Sequence, residues 1–243
     1  MSDQLSLRLE TDLLPELPDL RPMLPRPLPE AFDSDEHLFE PWWGGRRVLV
    51  GIGPAEQAGS GEVRVVDADG TDLSAAFPEL AGMAVRVAAR SALLDGELVV
   101  VDAHGRADAA ALDARFSGSD GPPAAFLAFD VLDLDGRSLL ALPLVKRREA
   151  LRRVLRPGDE VVAVPAIATE GRALYDAAVA QGIAGILARQ RMSPYLPGVR
   201  SRLWRYVAAT PGSAVADDGS PAPTVASAPV LALISRLPLD DET

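Results

Sequence analysis

The sequence contains no cysteine and very little lysine or histidine. Without cysteine among its 243 residues, the chain can form neither disulfides nor thiolate metal sites. Its two histidines, His37 and His104, lie far apart in the chain and leave little for a zinc site. Lys146 is the single lysine, so arginine supplies every other basic side chain. We therefore predict no metal site. Lys146 is the one candidate for chemistry that needs a lysine amine.

Long apolar runs are also missing. No segment approaches the roughly 20 apolar residues that a membrane-spanning helix needs. Residues 1–10 carry acids and lack the apolar core of a signal peptide. With 48% hydrophobic and 24% charged residues, the composition is typical of a globular protein in water. We expect a cytoplasmic protein without a membrane partner.

The net charge of −11 is concentrated at the two ends of the chain. Residues 1–40 carry 10 acids and 3 bases, and residues 208–243 carry 5 acids and 1 base, whereas residues 41–207 carry 20 of each. A neutral body argues against strong nucleic-acid binding, which we predict to be weak if present. The one arginine-rich run, which we interpret as a solvated helix face, comprises Arg147, Arg148, Arg152, Arg153 and Arg156.

The order of predicted elements favours an α+β fold. Proline spacing over residues 1–38 predicts an extended lead-in. Strands are predicted at 46–51, 61–66, 124–134, 161–167, 183–189 and 203–207, with a strand pair or bulged strand over 92–101. Helices are predicted at 75–80, 109–116, 144–155 and 171–181. Because strands and helices do not alternate regularly, the sheets should be antiparallel.

Short motifs follow one another in a fixed order between Leu20 and Val207. Residues 40–47 read EPWWGGRR, residues 94–98 read LDGEL, residues 129–132 read FDVL, and Trp204 ends the series. This order resembles the adenylation domain of bacterial ATP-dependent DNA ligases of the end-joining type. The resemblance implies an ATP-grasp-like domain over residues 20–207, with twisted antiparallel sheets flanked by helices.

The resemblance also sets the expected domain boundaries. Residues 1–19 would be an N-terminal extension, residues 208–229 a linker rich in Ala, Ser and Pro, and residues 230–243 a C-terminal tail. The apolar part of the tail could dock on the body or on a partner, or it could be frayed. Only 36 residues follow Val207, too few for the oligonucleotide-binding barrel of about 100 residues that follows this domain in the family.

The resemblance places Trp42 where the family has the lysine that attacks ATP. Covalent nucleotidyl transfer requires an amine at that position, and a tryptophan cannot form a phosphoramidate. Other family positions that hold metal-supporting or phosphate-binding groups are occupied here by Gly44, Ala68, Ala184, Tyr206 and Ala208. We therefore predict that the chain has no catalytic residue and no metal carboxylate of the family type.

Four retained residues match family positions that contact adenine, ribose or the α-phosphate: Glu40, Arg47, Glu97 and Phe129. They predict a vestigial nucleotide pocket that binds AMP or ATP weakly if at all, with Phe129 stacking on adenine for about 1–3 kcal/mol. A structural alternative explains the same residues. Phe129 would then be plain core, Glu97 would satisfy backbone groups in a turn, and Arg47 would pair with Glu97.

The favoured hypothesis is a catalytically degenerate DNA-ligase-like protein that serves as an accessory or interaction module in DNA repair, with a protein partner. One alternative is a ligase or nucleotidyltransferase that uses another nucleophile, although Lys146 lies outside the nucleotide motifs. The other is a DNA-end-binding protein that uses the arginines of 147–156.

Overall fold

The structure is a computed structural model that describes residues 20–53, 62–101 and 107–209. These ranges contain eleven strands and three α-helices. The strands are β1 Leu24–Pro27, β2 Ser34–Trp42, β3 Arg46–Ile52, β4 Val63–Asp67, β5 Ala92–Val100, β6 Ala124–Leu134, β7 Arg137–Ser138, β8 Val161–Ala163, β9 Ile167–Thr169, β10 Gly185–Gln190 and β11 Arg200–Ala208. The helices are α1 Ala109–Phe116, α2 Leu144–Val154 and α3 Gly171–Ala180. The predicted extension, most of the linker and the tail lie outside the described residues.

The strands form two sheets. The first, called sheet A, has the order β1-β11-β10-β2-β9, and the second, sheet B, has the order β4-β3-β5-β6-β7 with β8 also paired to β6. Neighbouring strands are antiparallel except for the pairs β1–β11 and β6–β8, which are parallel. The α+β prediction is confirmed. No helix in the described ranges combines the length and apolar character needed to cross a bilayer.

Most predicted elements match the structure closely. Helix α1 and strand β6 have the predicted bounds, and the segment around residues 92–101 is a single strand with bulges near Leu94 and Gly96. Asp108 begins α1, because its side chain accepts a hydrogen bond from the Ala111 backbone at 2.9 Å. The segment at 75–80 forms 3-10 turns, Ser74–Ala76 and Pro78–Val85, instead of an α-helix.

Strand β2 was not predicted. It pairs with β10 on one side and β9 on the other, although Pro41 lies within it opposite Ile186. A proline has no backbone N–H to donate, so its presence argues against a central strand in sequence reasoning. Tertiary packing overrides that signal here, and the strand delivers Glu40 and Trp42 to the centre of the molecule.

The prediction of one strand over 161–167 was wrong. Strand β8 pairs with β6 in sheet B, whereas β9 pairs with β2 in sheet A. Pro165 lies between them and cannot donate to a ladder, so the chain leaves one sheet there and joins the other. The short segment between β8 and β9 therefore links the two sheets.

Candidate functional site

The strand register places the motif residues of sheet A on one face. Leu187 lies opposite both Glu40 and Tyr206, and Gly185 lies opposite both Trp42 and Ala208. Since side chains alternate along a strand and opposed residues share a face, these residues point to the same side of the sheet. Sheet B contributes the other predicted site residues, with Arg47 opposite Glu97 on β3 and β5.

Trp42 belongs to an apolar cluster, called here the Trp42 cluster. Its side chain is 5% exposed and its ring lies against Tyr206, with centroids 5.0 Å apart and planes inclined by 58°. Leu187 completes the buried centre, and Ala184 and Ala208 pack at its margin. Four positions at which the resemblance implies charged groups therefore pack in one apolar cluster.

Glu97 supports the turn that follows β2. Its two carboxylate oxygens accept hydrogen bonds from the backbone N–H groups of Trp43 and Gly45, each at 3.2 Å. A Cβ at position 45 would collide with the Leu98 carbonyl, so the close approach requires glycine there. Burial raises the pKa of Glu97 to about 7, despite these hydrogen bonds and the charge of Arg47. The role is the one that the structural alternative for Glu97 predicts.

Arg47 forms a bidentate pair with Asp95. Its Nε and Nη2 atoms each lie 2.6 Å from a carboxylate oxygen of Asp95, and both side chains are buried. Tyr195 adds a hydrogen bond from its hydroxyl to Asp95 at 2.8 Å. Sequence reasoning named Glu97 as the partner of Arg47, but Asp95 receives these two N–H groups.

Two arginine guanidinium groups lie over the ring of Phe129. The Cζ atom of Arg189 lies 4.1 Å and that of Arg47 lies 4.4 Å from the centroid of the Phe129 ring. Arg189 also lies 4.8 Å from the Trp204 ring centroid. These are cation–π distances, and Phe129 itself is 3% exposed. A base that stacked on this ring would compete with both guanidinium groups for its faces.

Glu40 is fully buried and makes ion pairs with Arg148 and Arg189. Arg148 also donates to the backbone carbonyl oxygens of Phe129 and Val164. Arg189 contacts Glu40 without the alignment of a hydrogen bond, and its Nε and Nη1 atoms have no acceptor among the described residues. Burial lowers the pKa of Arg189.

The prediction of a solvated face was wrong for two arginines of helix α2. Arg147 is completely buried and binds Asp130 through Nε at 2.9 Å and Nη2 at 2.8 Å. Arg148 is 4% exposed, whereas Arg152, Arg153 and Arg156 are exposed. Lys146 lies near the start of the same helix, exposed and paired with Glu149 at 3.1 Å.

Together these residues form a buried charge cluster that no single motif predicted. It contains four arginines and four carboxylates, none more than 8% exposed: Arg47, Arg147, Arg148, Arg189, Glu40, Asp95, Glu97 and Asp130. The sequence signal was the four acidic residues inside the three motifs at 40–47, 94–98 and 129–132, two of which lie in the second motif. Across the described ranges, no group of three His, Asp or Glu side chains is arranged to hold a metal ion.

Comparison with known proteins shows the family to which the chain belongs. The model of the ATP-dependent DNA ligase domain matches residues 22–206. The multifunctional non-homologous end joining DNA repair protein LigD of Mycobacterium tuberculosis is 32% identical over 171 residues, which are 70% of this chain and 21% of LigD. DNA ligase C1 of Mycolicibacterium smegmatis is 31% identical over 208 residues, covering 77% of this chain and 56% of that protein.

The solved structure of mycobacterial DNA ligase D complexed with ATP and MES superposes with a TM-score of 0.65 at 28% identity, over 79% of this chain and 61% of that one. The chain spans only about a fifth of the length of the LigD relatives it matches. The match to the family model nevertheless covers most of the chain. The chain belongs to the family of the ATP-dependent DNA ligase domain.

Proposed function

We propose that this chain is a catalytically degenerate DNA-ligase-like protein that acts as an interaction module. The observation that carries the proposal is the Trp42 cluster. Residues 42, 184, 206 and 208 would supply the nucleophile, a metal-supporting carboxylate and two phosphate-binding lysines in an active relative. Here they pack against one another as apolar groups. Loss of one group could be drift, but four losses in one contact support relaxed catalytic constraint.

The chemistry of the cluster supports the same conclusion. In the family, the lysine amine attacks the α-phosphorus of ATP, a phosphorus–nitrogen bond forms and pyrophosphate leaves. A tryptophan indole lacks the basic lone pair that this attack needs. Lys146, the only lysine, lies on helix α2 with a 63% exposed side chain that pairs with Glu149. This partner is a carboxylate, which would repel a phosphate.

Nucleotide binding is proposed to be weak. Arg47 forms a buried ion pair with Asp95, and Glu40 forms one with Arg148. Glu97 accepts hydrogen bonds from backbone N–H groups, and guanidinium groups lie over the ring of Phe129. The four residues of the predicted pocket therefore already have protein partners. Adenine could compete only for the Phe129 ring, and a triphosphate would meet apolar side chains where cations are required. AMP should consequently bind no worse than ATP.

The proposed partner is a protein, and the proposed setting is DNA repair. The support for the setting is the name of the LigD relatives, which are described as non-homologous end joining DNA repair proteins. Direct DNA binding through residues 147–156 has less support, because Arg147 and Arg148 lie inside the fold. Only three arginines of residues 147–156 are exposed and could contact DNA directly.

The test is incubation of the full chain with Mg²⁺ and ATP labelled on the α-phosphate, followed by denaturation. DNA ligase C1 of Mycolicibacterium smegmatis, treated in parallel, shows that the assay detects a covalent adenylate. We expect no label on this chain above that of a heat-denatured sample. Covalent label that survives denaturation would overturn the proposal, and Lys146→Ala would then show whether that lysine carries the label.

A further inference from the structure

One face of sheet B carries an open apolar cleft of about 510 Å³, separate from the Trp42 cluster. Its floor is formed by Val99, Val101, Ala125, Leu127 and Val162. The register explains why these side chains share a face, since Val99 lies opposite Ala125 and Leu127 lies opposite Val162. Val99 and Leu127 belong to the core between the sheets, whereas Val101, Ala125 and Val162 are partly exposed where that core reaches the surface.

The described chain leaves the fold beside this core. Val207 packs in the same apolar group as Val99 and Leu127. Two residues later, the backbone N–H of Ala209 donates to the Ala184 carbonyl at 2.8 Å. The described chain therefore ends beside the apolar core to which Val99 and Leu127 belong.

We propose that the apolar segment at residues 230–239 of this same chain docks in the cleft. The segment reads VLALISRLPL and is the longest apolar stretch after Val207. Residues 210–229 join it to the fold, and an unstructured chain of that length would have a root-mean-square span of roughly 25 Å. Such a tether gives the segment an effective concentration in the millimolar range, which favours it over a free partner.

Charge complementarity supports this occupant. The polar lining of the cleft is acidic and consists of Glu79, Asp159 and Glu160. Glu79 pairs with Arg115 and Glu160 with Arg86, but the exposed Asp159 makes no ion pair with any described residue. Arg236 is the only basic residue after Val207, and it lies within the apolar segment. The docked segment would therefore bring its one cation to the acidic side of the cleft. The proposal is independent of whether the chain binds nucleotide.

The absence of native cysteine allows a direct test in the full chain. The double variant Val162→Cys with Leu233→Cys is equilibrated with a glutathione redox buffer, and the effective concentration of the intramolecular disulfide is measured. The reference pair joins Leu233→Cys to Val199→Cys, because Val199 is 46% exposed and precedes β11 at the end opposite the chain exit. We expect at least a tenfold higher effective concentration for the cleft pair. Equal values for the two pairs, or predominantly intermolecular disulfides, would overturn the proposal.

Hydrogen exchange gives a second readout that does not depend on cysteine. Leu233→Asp with Leu237→Asp should accelerate amide exchange in strand β8 and at residues 99–101, because the segment no longer covers them. The matched control, Val215→Asp with Val225→Asp, adds the same charge within the linker and should leave that exchange unchanged. Equal exchange in the two double variants would show that the segment does not occupy the cleft.

Discussion

Replacing Trp42 by lysine tests whether the loss of activity proposed here involves one residue or the whole site. The substitution returns the amine that the family motif places at this position. If only the nucleophile had been lost, Trp42→Lys would restore covalent adenylation. The structure predicts that it does not, because Ala184, Tyr206 and Ala208 would still leave the phosphates without a metal-supporting carboxylate or a cation.

The same substitution should destabilise the fold by about 3 kcal/mol. A tryptophan side chain buries up to about 250 Å², worth roughly 6 kcal/mol at 25 cal/mol per Å². Trp42 is 5% exposed, so nearly all of that surface is buried. The four methylenes of a lysine stem can recover about 3 kcal/mol if the amine reaches water. The difference is an upper value, because the unfolded chain also buries some apolar surface.

Two measurements check the prediction. Urea unfolding of the wild type, Trp42→Lys and Trp42→Phe should give the lysine variant the lowest stability, since phenylalanine keeps an aromatic ring against Tyr206. Labelling with α-labelled ATP and Mg²⁺ should detect no adenylate on any of the three. A stable Trp42→Lys variant that acquires covalent AMP would refute the reasoning, because it would mean that the apolar cluster still accommodates the phosphates.

Three further predictions concern the buried charges and the nucleotide pocket. Arg147→Met should destabilise the protein by about 3–5 kcal/mol because it leaves Asp130 buried without its bidentate partner, whereas the exposed Arg153→Met should leave the unfolding free energy nearly unchanged; equal effects would contradict the assigned burial. The pKa of Glu97 is raised from 4.5 to about 7, so Glu97 stays protonated to a higher pH in the folded than in the unfolded protein. Its contribution to stability is therefore fully present below about pH 4.5 and is lost as pH rises to about 7. The loss is at most about 3 kcal/mol, and the lowered pKa of His37 opposes it over part of the same range. The check is therefore the difference in pH dependence between the wild type and Glu97→Ala, and parallel curves would disprove the shift. Calorimetry should find AMP binding at least as tight as ATP, and ATP binding tenfold tighter than AMP would contradict the proposed loss of phosphate contacts.

Local sequence signals were sufficient where each element depends on its own residues. Helix α1 has an aspartate cap and a turn after its end, and strand β6 is a continuous apolar run that ends at Asp135-Gly136. Both bounds were predicted correctly. Strand β2 was missed because its stability comes from two neighbouring strands that outweigh Pro41. The break at Pro165 was missed because the apolar run continues on both sides of it while the pairing partner changes.

The candidate site was predictable in its members but not in their pairing. Motif order singled out Glu40, Arg47, Glu97 and Phe129 as candidates, and the family resemblance aligns Trp42 with the nucleophilic lysine. Sequence spacing could not show that residues 42, 184, 206 and 208 touch, because that contact depends on the registers of β2, β10 and β11. Nor could it show that Arg147 and Arg148 point inward. A helical run of arginines has the same pattern whether solvent or carboxylates lie beside it.

The buried charge cluster explains part of the preference for arginine over lysine in this chain. At exposed positions either a lysine or an arginine side chain can serve. Inside the fold the two residues differ, because a planar guanidinium can donate in parallel to both oxygens of a carboxylate while an ammonium cannot. Arg47 with Asp95 and Arg147 with Asp130 use that geometry, and Arg148 divides its donors between Glu40 and two backbone carbonyls. At these positions arginine is required by the contacts. Trp42 differs from both cases, because it stands where the family resemblance implies a nucleophilic amine, and its indole packs against Tyr206 and Leu187.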